Sequence, residues 1–591
     1  MTSGSVFPTR RTLLRTGVGV AGMPLLAAGR PPRQPVAAVP SALLPAPPAF
    51  VPPLLDRAKV DRALARLDGF AGDALDRTGL PGLAVTVVYQ DEVLYSKGFG
   101  VREVGKPEGV TPDTVFQVAS VSKPLASTVI AGVVGQQAFA WTDPVIRYNR
   151  DFELNDGYVT RNATIADLLS HRSGLQTGAG DLLEDLGFDR DYILSHLHQQ
   201  PLDAFRSSYH YSNFGYTEGG QAAAKAMGSS WEDLADRILF HKLGMASSSY
   251  RLADYEKAAD RAVLHVPVGD RQWAAKYRRD PDAEAPAGGA SSSVRDLARW
   301  LRLQLGNGTF EGQPVIDAAA LQTTHVPHSV SGPASAPAAR SRFYGLGWNV
   351  SYDDEGRVQL GHSGAFNLGA ATAVSMLPGE QLAIVCLTNG RPQGIPEAIN
   401  ADFMDTAQHG GPTVDWLDFT AAIFRQQDEA DKPEIDYAKV PANPAPAGPT
   451  RRYTGTYDNP YYGPLVVSEE GGGLAMRMGP AGKPTTFALT HFDGDTFSFE
   501  SIGENGNGLA GALFAEALRG SSPQITLDFY DRTGLGTFTR RGRKSRRRHL
   551  DTGGVPIRSD VGTWASASSG SYRRAAPGSR RGTHQRQRPP S

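Results

Sequence analysis

The sequence predicts an α/β fold in which an antiparallel sheet is flanked by helices and joined by a mainly helical subdomain, followed by a small all-β domain. Three observations favour this fold class. Two pairs of β-rich runs are each joined by a short polar turn, which is the pattern of a β-hairpin. Between them, over residues 176–260, short helical patterns alternate with polar turns. After residue 450 the chain changes to short β-runs separated by glycine turns.

The first predicted elements are a helix and a hairpin. Apolar residues recur at helical spacing from Leu55 to Leu75, so we expect an amphipathic helix there. Leu83–Tyr89 and Val93–Gly100 are β-rich and enclose a polar turn, which predicts the first hairpin. A helix followed by a hairpin is the start of the predicted sheet.

A buried helix that carries a serine and a lysine comes next. Ser120 and Lys123 stand three residues apart, which places a hydroxyl and an amine on one face of a helix, one turn apart. The apolar segment Pro124–Val134 predicts a buried helix that begins near Ser120, because proline is tolerated only in the first turn. A serine at such an N-terminus, facing a lysine, is a candidate activated nucleophile. Because about one Ser-x-x-Lys match is expected by chance in a chain of this length, the motif needs partners.

The remaining elements of the α/β part are short. Helices are predicted at Ile165–Leu169 and at Val294–Leu305, the second capped by Ser292 or Ser293. The β-like runs are Tyr344–Val350, Ala370–Met376 and Leu382–Thr388. A Pro-Gly turn joins the last two runs and predicts the second hairpin.

Composition divides the chain into six parts. Arg10 and Arg11 precede an apolar run of about a dozen residues, too short to span a bilayer, which resembles a twin-arginine export signal. We therefore expect a periplasmic or extracellular protein with no membrane span after signal removal. The predicted parts are the signal (1–30), a Pro/Ala-rich linker (31–53), the α/β domain (54–405), a linker region (406–449), the all-β domain (450–541) and a disordered basic tail (542–591).

Composition also restricts the possible partners. Cys386 is the only cysteine, which excludes an internal disulfide and a cysteine-based metal site, and its apolar surroundings predict a buried strand residue. We expect no metal and no organic cofactor. A basic tail can bind nucleic acid, but an exported protein would rarely meet it, so we expect no nucleic-acid partner. The oligomeric state stays open.

Two further motifs accompany the Ser-x-x-Lys motif. Tyr211-Ser212-Asn213 lies in a polar turn that leads into a small-residue helix, and His362-Ser363-Gly364 lies immediately before the second hairpin. Tyr457-Asp458-Asn459 and His409-Gly410-Gly411 fit the same two patterns but lie beyond the α/β segment. Order along the chain therefore favours the sites at Ser120, Tyr211 and His362.

These three motifs, with Leu168–Leu175 and Gly345-Leu346-Gly347-Trp348, resemble serine hydrolases built on the penicillin-recognising fold. That group includes class C β-lactamases, D-alanyl-D-alanine carboxypeptidases, D-aminopeptidases and β-lactamase-like carboxylesterases. The resemblance covers residues 57–405 and implies a β-lactamase/transpeptidase-like arrangement of sheet and helices. The region around Tyr453–Tyr457 resembles the small C-terminal domain often attached to such hydrolases.

The resemblance implies a role for each motif residue. Ser120 would attack a carbonyl and form an acyl-enzyme, with Lys123 beside it and Tyr211 as the general base. Asn213 would hold a substrate amide or carbonyl, and backbone N–H groups of Ser120 and Ala365 would form the oxyanion hole. The implied substrate-binding residues are Asn213, His362, Gly364 and Ala365.

The identity of the base stays open between two groups. Ionising a free tyrosine at pH 7 costs about 4 kcal/mol, since its pKa is near 10. A lysine cation close to Tyr211 can offset much of that by favouring the phenolate. Alternatively Lys123, desolvated at a helix N-terminus, is itself neutral and acts as the base. The two groups titrate as a pair.

The implied function is that of an exported serine hydrolase acting on small esters or amides, as a carboxylesterase, D-amino-acid peptidase or amidase does. A β-lactamase or D,D-carboxypeptidase is the alternative. It is less favoured because His362 stands where those enzymes usually carry a lysine, and histidine is mostly neutral at pH 7. An alternative of another class is a non-catalytic binding or sensor protein on the same fold. A third interpretation gives the main role to the β domain, docking a cell-wall or protein partner.

Overall fold

The computed structural model describes residues 53–516 and 520–542. The predicted export signal, nearly all of the first predicted linker and the basic tail beyond residue 542 lie outside the described residues. Within the described part of the chain, we find no helix with the length and apolar character needed to cross a membrane.

The α/β part contains short helices between a few long ones. The helices are α1 (Arg57–Thr78), α2 (Ser122–Gly135), α3 (Gly157–Asn162), α4 (Ile165–Leu169), α5 (Asp181–Asp185), α6 (Arg190–His196), α7 (Asn213–Ala226), α8 (Trp231–Ala235), α9 (His241–Leu243), α10 (Leu252–Lys257), α11 (Ala285–Gly288), α12 (Val294–Leu305), α13 (Ala318–His325), α14 (Ile395–His409) and α15 (Trp416–Ala430).

The strands of this part form one large sheet and three small ribbons. They are β1 (Gly82–Tyr89), β2 (Glu92–Gly100), β3 (Phe116–Gln117), β4 (Val266–Gly269), β5 (Gln272–Ala274), β6 (Ser291–Ser292), β7 (Thr309–Phe310), β8 (Gln313–Pro314), β9 (Ser329–Gly332), β10 (Arg342–Tyr344), β11 (Asn349–Tyr352), β12 (Val358–Phe366), β13 (Ala370–Leu377) and β14 (Leu382–Thr388). The large sheet has the order β2-β1-β14-β13-β12-β11-β10-β9, and every neighbouring pair is antiparallel.

Alternating side chains of β1 enter two different cores, because successive residues of a strand point to opposite faces of the sheet. Leu83, Val85 and Val87 pack with α1 and α14 on one face. Ala84 and Val88 pack on the other face, in the core that contains α2 and α12. The sheet is thus covered on both faces, and the helices of the middle segment surround α2.

Strand β12 leaves part of one edge unpaired. Its partner β11 pairs with Val358–Gly361 only, whereas β13 pairs with β12 as far as Phe366. The free edge over residues 362–366 packs against the 3₁₀ turn Ala119–Val121 that precedes α2. This contact brings the sheet to the residue that the sequence identified as a nucleophile.

The C-terminal part is a closed barrel. Its strands are β15 (Gly455–Asn459), β16 (Gly463–Glu470), β17 (Gly473–Met478), β18 (Thr485–Asp493), β19 (Thr496–Glu500), β20 (Leu509–Phe514), β21 (Gln524–Leu527) and β22 (Thr537–Arg540). Each strand pairs with the next one, and β22 closes the barrel on β15. The predicted fold class, an α/β domain with an all-β domain after it, is confirmed.

Most predicted elements match the structure, but one predicted strand of the α/β part does not. The strand expected over Tyr344–Val350 is two strands, β10 and β11, separated by a turn in which Gly347 adopts a φ of 89°. Gly345 N–H donates to the Trp348 carbonyl at 2.8 Å and closes that turn. Cys386 lies buried in β14 as expected.

The segment 406–449, expected to be a linker, contains ordered structure. Helix α14 continues to His409, past the predicted boundary, and α15 occupies Trp416–Ala430. The side chain of Asp405 accepts hydrogen bonds from the Trp416 indole at 3.0 Å and from the Thr413 hydroxyl at 2.8 Å. The sequence analysis did not predict α15, whose buried side chains are those of Leu417 and Thr420.

Candidate active site

Ser120 lies in a strained turn directly before α2. Ala119, the residue before it, has a φ of 48°, a left-handed conformation that a residue with a Cβ adopts at a cost of about 1–3 kcal/mol. Val118 is held on both sides: its N–H donates to the Ala290 carbonyl at 2.9 Å, and its carbonyl accepts from the Thr372 hydroxyl at 2.8 Å. These contacts stabilise the turn that presents Ser120.

Helix α2 is fixed at its first turn by two buried tyrosines. The Tyr250 hydroxyl donates to the Ser122 carbonyl at 2.8 Å, and the Tyr216 hydroxyl donates to the Lys123 carbonyl at 2.7 Å. A Cβ on Gly347 would lie 2.6 Å from the Tyr216 hydroxyl and 2.8 Å from the Lys123 carbonyl. The turn between β10 and β11 therefore needs glycine in order to approach α2.

Lys123 is fully buried and has a hydrogen-bond acceptor for each of its three protons. Its Nζ lies 3.1 Å from Ser120 Oγ, 2.8 Å from Asn213 Oδ1 and 3.0 Å from the Ala287 carbonyl oxygen. The ammonium also lies 4.5 Å from the centre of the Tyr211 ring. Because burial disfavours the charged form, the pKa of Lys123 is lowered to about 8.

Tyr211 completes the contacts of the nucleophile. Its hydroxyl donates to Ser120 Oγ at 2.8 Å. Burial raises the pKa of Tyr211 well above 10, although its bond to Ser120 acts in the opposite direction. Of the two candidate bases, the lysine is therefore the one whose pKa moves toward neutral pH.

Asn213 begins α7 and lies between Lys123 and an acidic side chain. Ser212 caps this helix by accepting from the Gly215 N–H at 3.1 Å. The Asn213 Nδ2 atom lies 3.4 and 3.5 Å from the two carboxylate oxygens of Asp181, at the start of α5. Burial raises the pKa of Asp181 to about 7. The two contacts orient the Asn213 amide so that its oxygen faces Lys123.

The free edge of β12 lies against the nucleophile turn. A Cβ on Gly364 would lie 2.3 Å from the Val118 carbonyl oxygen and 3.0 Å from the Ser120 nitrogen, so only glycine permits this approach. Ala365 follows on the same edge, with an exposed side chain, and pairs with Ala371 of β13. Gly364 is thus brought to Ser120, and Ala365 is the next residue along the same strand edge.

His362 lies near Ser120 but is neutral. Its Nε2 bonds to the Tyr344 hydroxyl at 2.9 Å, and its Nδ1 lies 2.7 Å from the Ser363 carbonyl oxygen. Burial, with Lys123 as a second cause, lowers the pKa of His362 to about 3. In this state the imidazole provides neither a cation nor a free nitrogen to a substrate, so its contribution is to shape the wall beside Tyr211, whose ring centre is 6.3 Å away.

Sequence reasoning missed several neighbours of the site. His171 is buried with a φ of 56°, accepts from the Ser212 N–H at 3.2 Å, and lies with its ring centre 4.5 Å from that of Tyr211. It belongs to Leu168–Leu175, a segment that the resemblance included without assigning a role. Asp181 and the Ala287 carbonyl were also missed, since neither belongs to a motif.

Within residues 53–516 and 520–542, no group of three or more His, Cys, Asp or Glu side chains is arranged to hold a metal ion. The chemistry that the described residues can perform is proton transfer at Ser120 Oγ. Two titratable groups contact that oxygen, and a strand edge lies beside it where a carbonyl oxygen can be bound.

Comparison with known proteins gives two family matches. Residues 61–408 match the family model described as Beta-lactamase, and residues 439–528 match one described as Domain of unknown function (DUF3471). The first match includes all of the motifs around Ser120, and the second includes most of the barrel.

Individual relatives are more distant. Unguisins hydrolase ungD' of Aspergillus campestris (strain IBT 28561) is 26% identical over 412 residues, which are 66% of this chain and 75% of that protein. Esterase EstB of Burkholderia gladioli is 30% identical over 305 residues, 46% of this chain and 77% of the esterase. The structure of an octameric penicillin-binding protein homologue from Pyrococcus abyssi covers 78% of this chain and 98% of its own, with a TM-score of 0.51 and 19% identity. That last likeness is one of fold.

The close approach of Gly364 to the nucleophile gives a testable prediction. In Gly364→Ala the new methyl group must displace β12 from Ser120, and we expect the rate of Ser120 labelling by a fluorophosphonate to fall at least about tenfold. Peptide mapping of the labelled protein measures this. Gly379→Ala, in a turn with open space around the Cβ position, is the matched control and should label like the wild type. Equal labelling of both variants would show that the strand edge does not assist the reaction.

Proposed function

The chain belongs to the β-lactamase family, and we propose that it is a serine hydrolase whose Ser120 forms an acyl-enzyme with small esters or amides. One observation carries the proposal: Lys123 Nζ, at 3.1 Å, and the Tyr211 hydroxyl, at 2.8 Å, both contact Ser120 Oγ. Three segments distant in sequence supply these groups and the strand edge opposite them. Such convergence on one hydroxyl is typical of an activated nucleophile.

In the proposed acylation step Lys123 acts as the base. In its neutral form the amine takes the proton of Ser120 as Oγ attacks the substrate carbonyl. Its pKa of about 8 leaves a useful neutral fraction near pH 7, whereas the pKa of Tyr211 lies far above that range. The negative charge that develops on the carbonyl oxygen is stabilised by the N–H groups of Ser120 and Ala365.

Collapse of the tetrahedral intermediate breaks the bond to the leaving group. Tyr211 donates its proton to the departing oxygen or nitrogen, and the Lys123–Tyr211 pair then returns to its starting protonation state. Water repeats the sequence on the acyl-enzyme, with the Ser120 oxygen as the leaving group. Asn213, whose Nδ2 lies 3.4 and 3.5 Å from the Asp181 carboxylate oxygens, would hold a substrate amide or carbonyl.

The neutral state of His362 favours esters and amides over β-lactams. A fixed cation at this position would help to hold the carboxylate of a β-lactam or of a peptide C-terminus. The pKa of about 3 leaves His362 uncharged at any working pH.

Ester hydrolysis tests the proposal directly. With p-nitrophenyl butyrate we expect steady release of nitrophenol by the wild type and a loss of about 10³-fold or more in kcat for Ser120→Ala. The surface variant Ser195→Ala is the control and should match the wild type. Equally slow release by wild type and Ser120→Ala would leave a binding or sensor protein as the function. Turnover of nitrocefin at a rate comparable to that of the ester would reverse the preference against β-lactams.

The division of roles between Tyr211 and Lys123 gives a second prediction. Tyr211→Phe removes the proton donor and should lower kcat about 10²-fold or more. The pH profile of kcat/KM should keep its shape, because the neutral form of Lys123 increases as pH rises through about 8. The rate should therefore rise with pH to a plateau above 8 in both proteins.

Tyr209→Phe is the matched control, since Tyr209 is two residues away and packs on the His171 ring. It should retain the activity of the wild type. A nearly unchanged kcat in Tyr211→Phe would exclude the proton transfer assigned to Tyr211. If kcat/KM of Tyr211→Phe no longer rises near pH 8, Tyr211 is the group that titrates there.

A further inference from the structure

A loop of the C-terminal barrel reaches the active-site region. The loop joins β19 to β20 over residues 501–508. Gly503 has a φ of 84°, and a Cβ there would lie 2.1 Å from Asp185 Oδ1, so glycine allows the loop to lie directly on the end of α5. Asp185 accepts from the Glu504 N–H at 2.7 Å and from the Asn505 N–H at 3.2 Å. The barrel is thus attached to the helix whose first residue, Asp181, contacts Asn213.

Through Glu504, the same loop also contacts the turn that joins β12 to β13. The Glu504 carboxyl group accepts from the backbone N–H of Asn367 and, at 3.4 Å, from that of Leu368. The Glu504 carbonyl accepts from Asn367 Nδ2 at 3.1 Å. Both amides belong to the turn that joins β12 to β13, which begins two residues after Ala365. Glu504 is therefore bonded to the end of the strand edge that faces the nucleophile.

A buried arginine extends this connection toward Ser120. Arg279 Nε lies 3.9 Å from Glu504 Oε2, and its guanidinium lies 4.9 Å from the centre of the Phe366 ring. Phe366 lies between Ala365 and the turn that is bonded to Glu504. It packs in one apolar cluster with Ala119. Because Ala119 directly precedes Ser120, this apolar cluster connects Phe366, next to the turn that Glu504 holds, with the turn that presents the nucleophile.

We propose that Glu504 is a positioning residue for the acylation step: by fixing the β12–β13 turn, it holds the Ala365 N–H at the place where the oxyanion develops. The inference rests on the proposed function and deepens it. It gives the barrel a defined part in the reaction of the α/β domain, through the turn that joins β12 to β13. Removal of Glu504 should affect the transition state, in which the oxyanion exists, more than substrate binding.

The test compares variants of the full chain with p-nitrophenyl butyrate. Glu504→Ala should lower kcat about 10- to 100-fold and change KM less than about threefold, since loss of a whole oxyanion donor lowers kcat by about 10²–10³. Glu504→Gln keeps one acceptor oxygen and should recover part of the loss. Glu500→Ala removes an exposed carboxylate of the same barrel and should match the wild type.

Thermal unfolding of each variant separates positioning from stability. A fall in kcat at an unchanged unfolding temperature, with partial recovery in Glu504→Gln, supports the inference. An unchanged kcat in folded Glu504→Ala overturns it, as does a rise in KM with a lower unfolding temperature in both variants. If Glu504→Ala does not fold, the kcat of Glu504→Gln decides by the same criteria.

Absence of Ser120-dependent turnover in the wild type overturns the proposed function and this inference with it. Normal turnover in Glu504→Ala overturns the inference alone.

Discussion

The burial of one lysine is the constraint on which the site depends. Lys123 has no direct ion-pair partner among the described residues, and its three acceptors are neutral oxygen atoms of Ser120, Asn213 and Ala287. An isolated ammonium is expensive to bury, so the group either finds such acceptors or loses its proton. Lys123 has such acceptors, and its pKa is also lowered to about 8, so that part of the population is neutral near pH 7. The same three acceptors bring together the 3₁₀ turn, α7 and α11.

A second buried electrostatic group links the two domains. Arg279 lies 2.7 Å from both Glu184 and Glu284, and 3.9 Å from Glu504 of the barrel. Burial raises the pKa of Glu184 well above its usual range and that of Glu504 to about 8. The barrel is consequently attached to the α/β part at the side of the active site.

The parts of the fold that the sequence predicted share a strong local pattern. Helix α1, the hairpins β1–β2 and β13–β14, and α12 with its Ser293 cap have clear periodicity and turn signals, and the structure confirms them. Helix α15 was missed, as were β15, β18 and β20 of the barrel. Tyr344–Val350 was predicted as one strand because apolar content cannot reveal the turn at Gly347.

Residues of the candidate site were predictable from the sequence only where they belong to a short motif. Ser120, Lys123, Tyr211 and Gly364 were found from short motifs, and the structure brings them together. A backbone carbonyl such as that of Ala287 has no sequence signal. Glu504 lies 137 residues from its partner Asn367, and nothing in the local sequence connects them. His362 was expected to bind substrate, but its Tyr344 and Ser363 contacts depend on the folded chain.

Titration of Lys123 in the full chain distinguishes a proton-accepting amine from a permanent cation. NMR of protein with isotope-labelled lysine Cε, with Lys123→Met to assign the signal, follows the protonation of this amine alone. We expect a midpoint near pH 8, with the neutral amine increasing above it. A midpoint near 10.5, the value of an exposed lysine, would mean that the side chain is a permanent cation and would contradict its role as the base at Ser120.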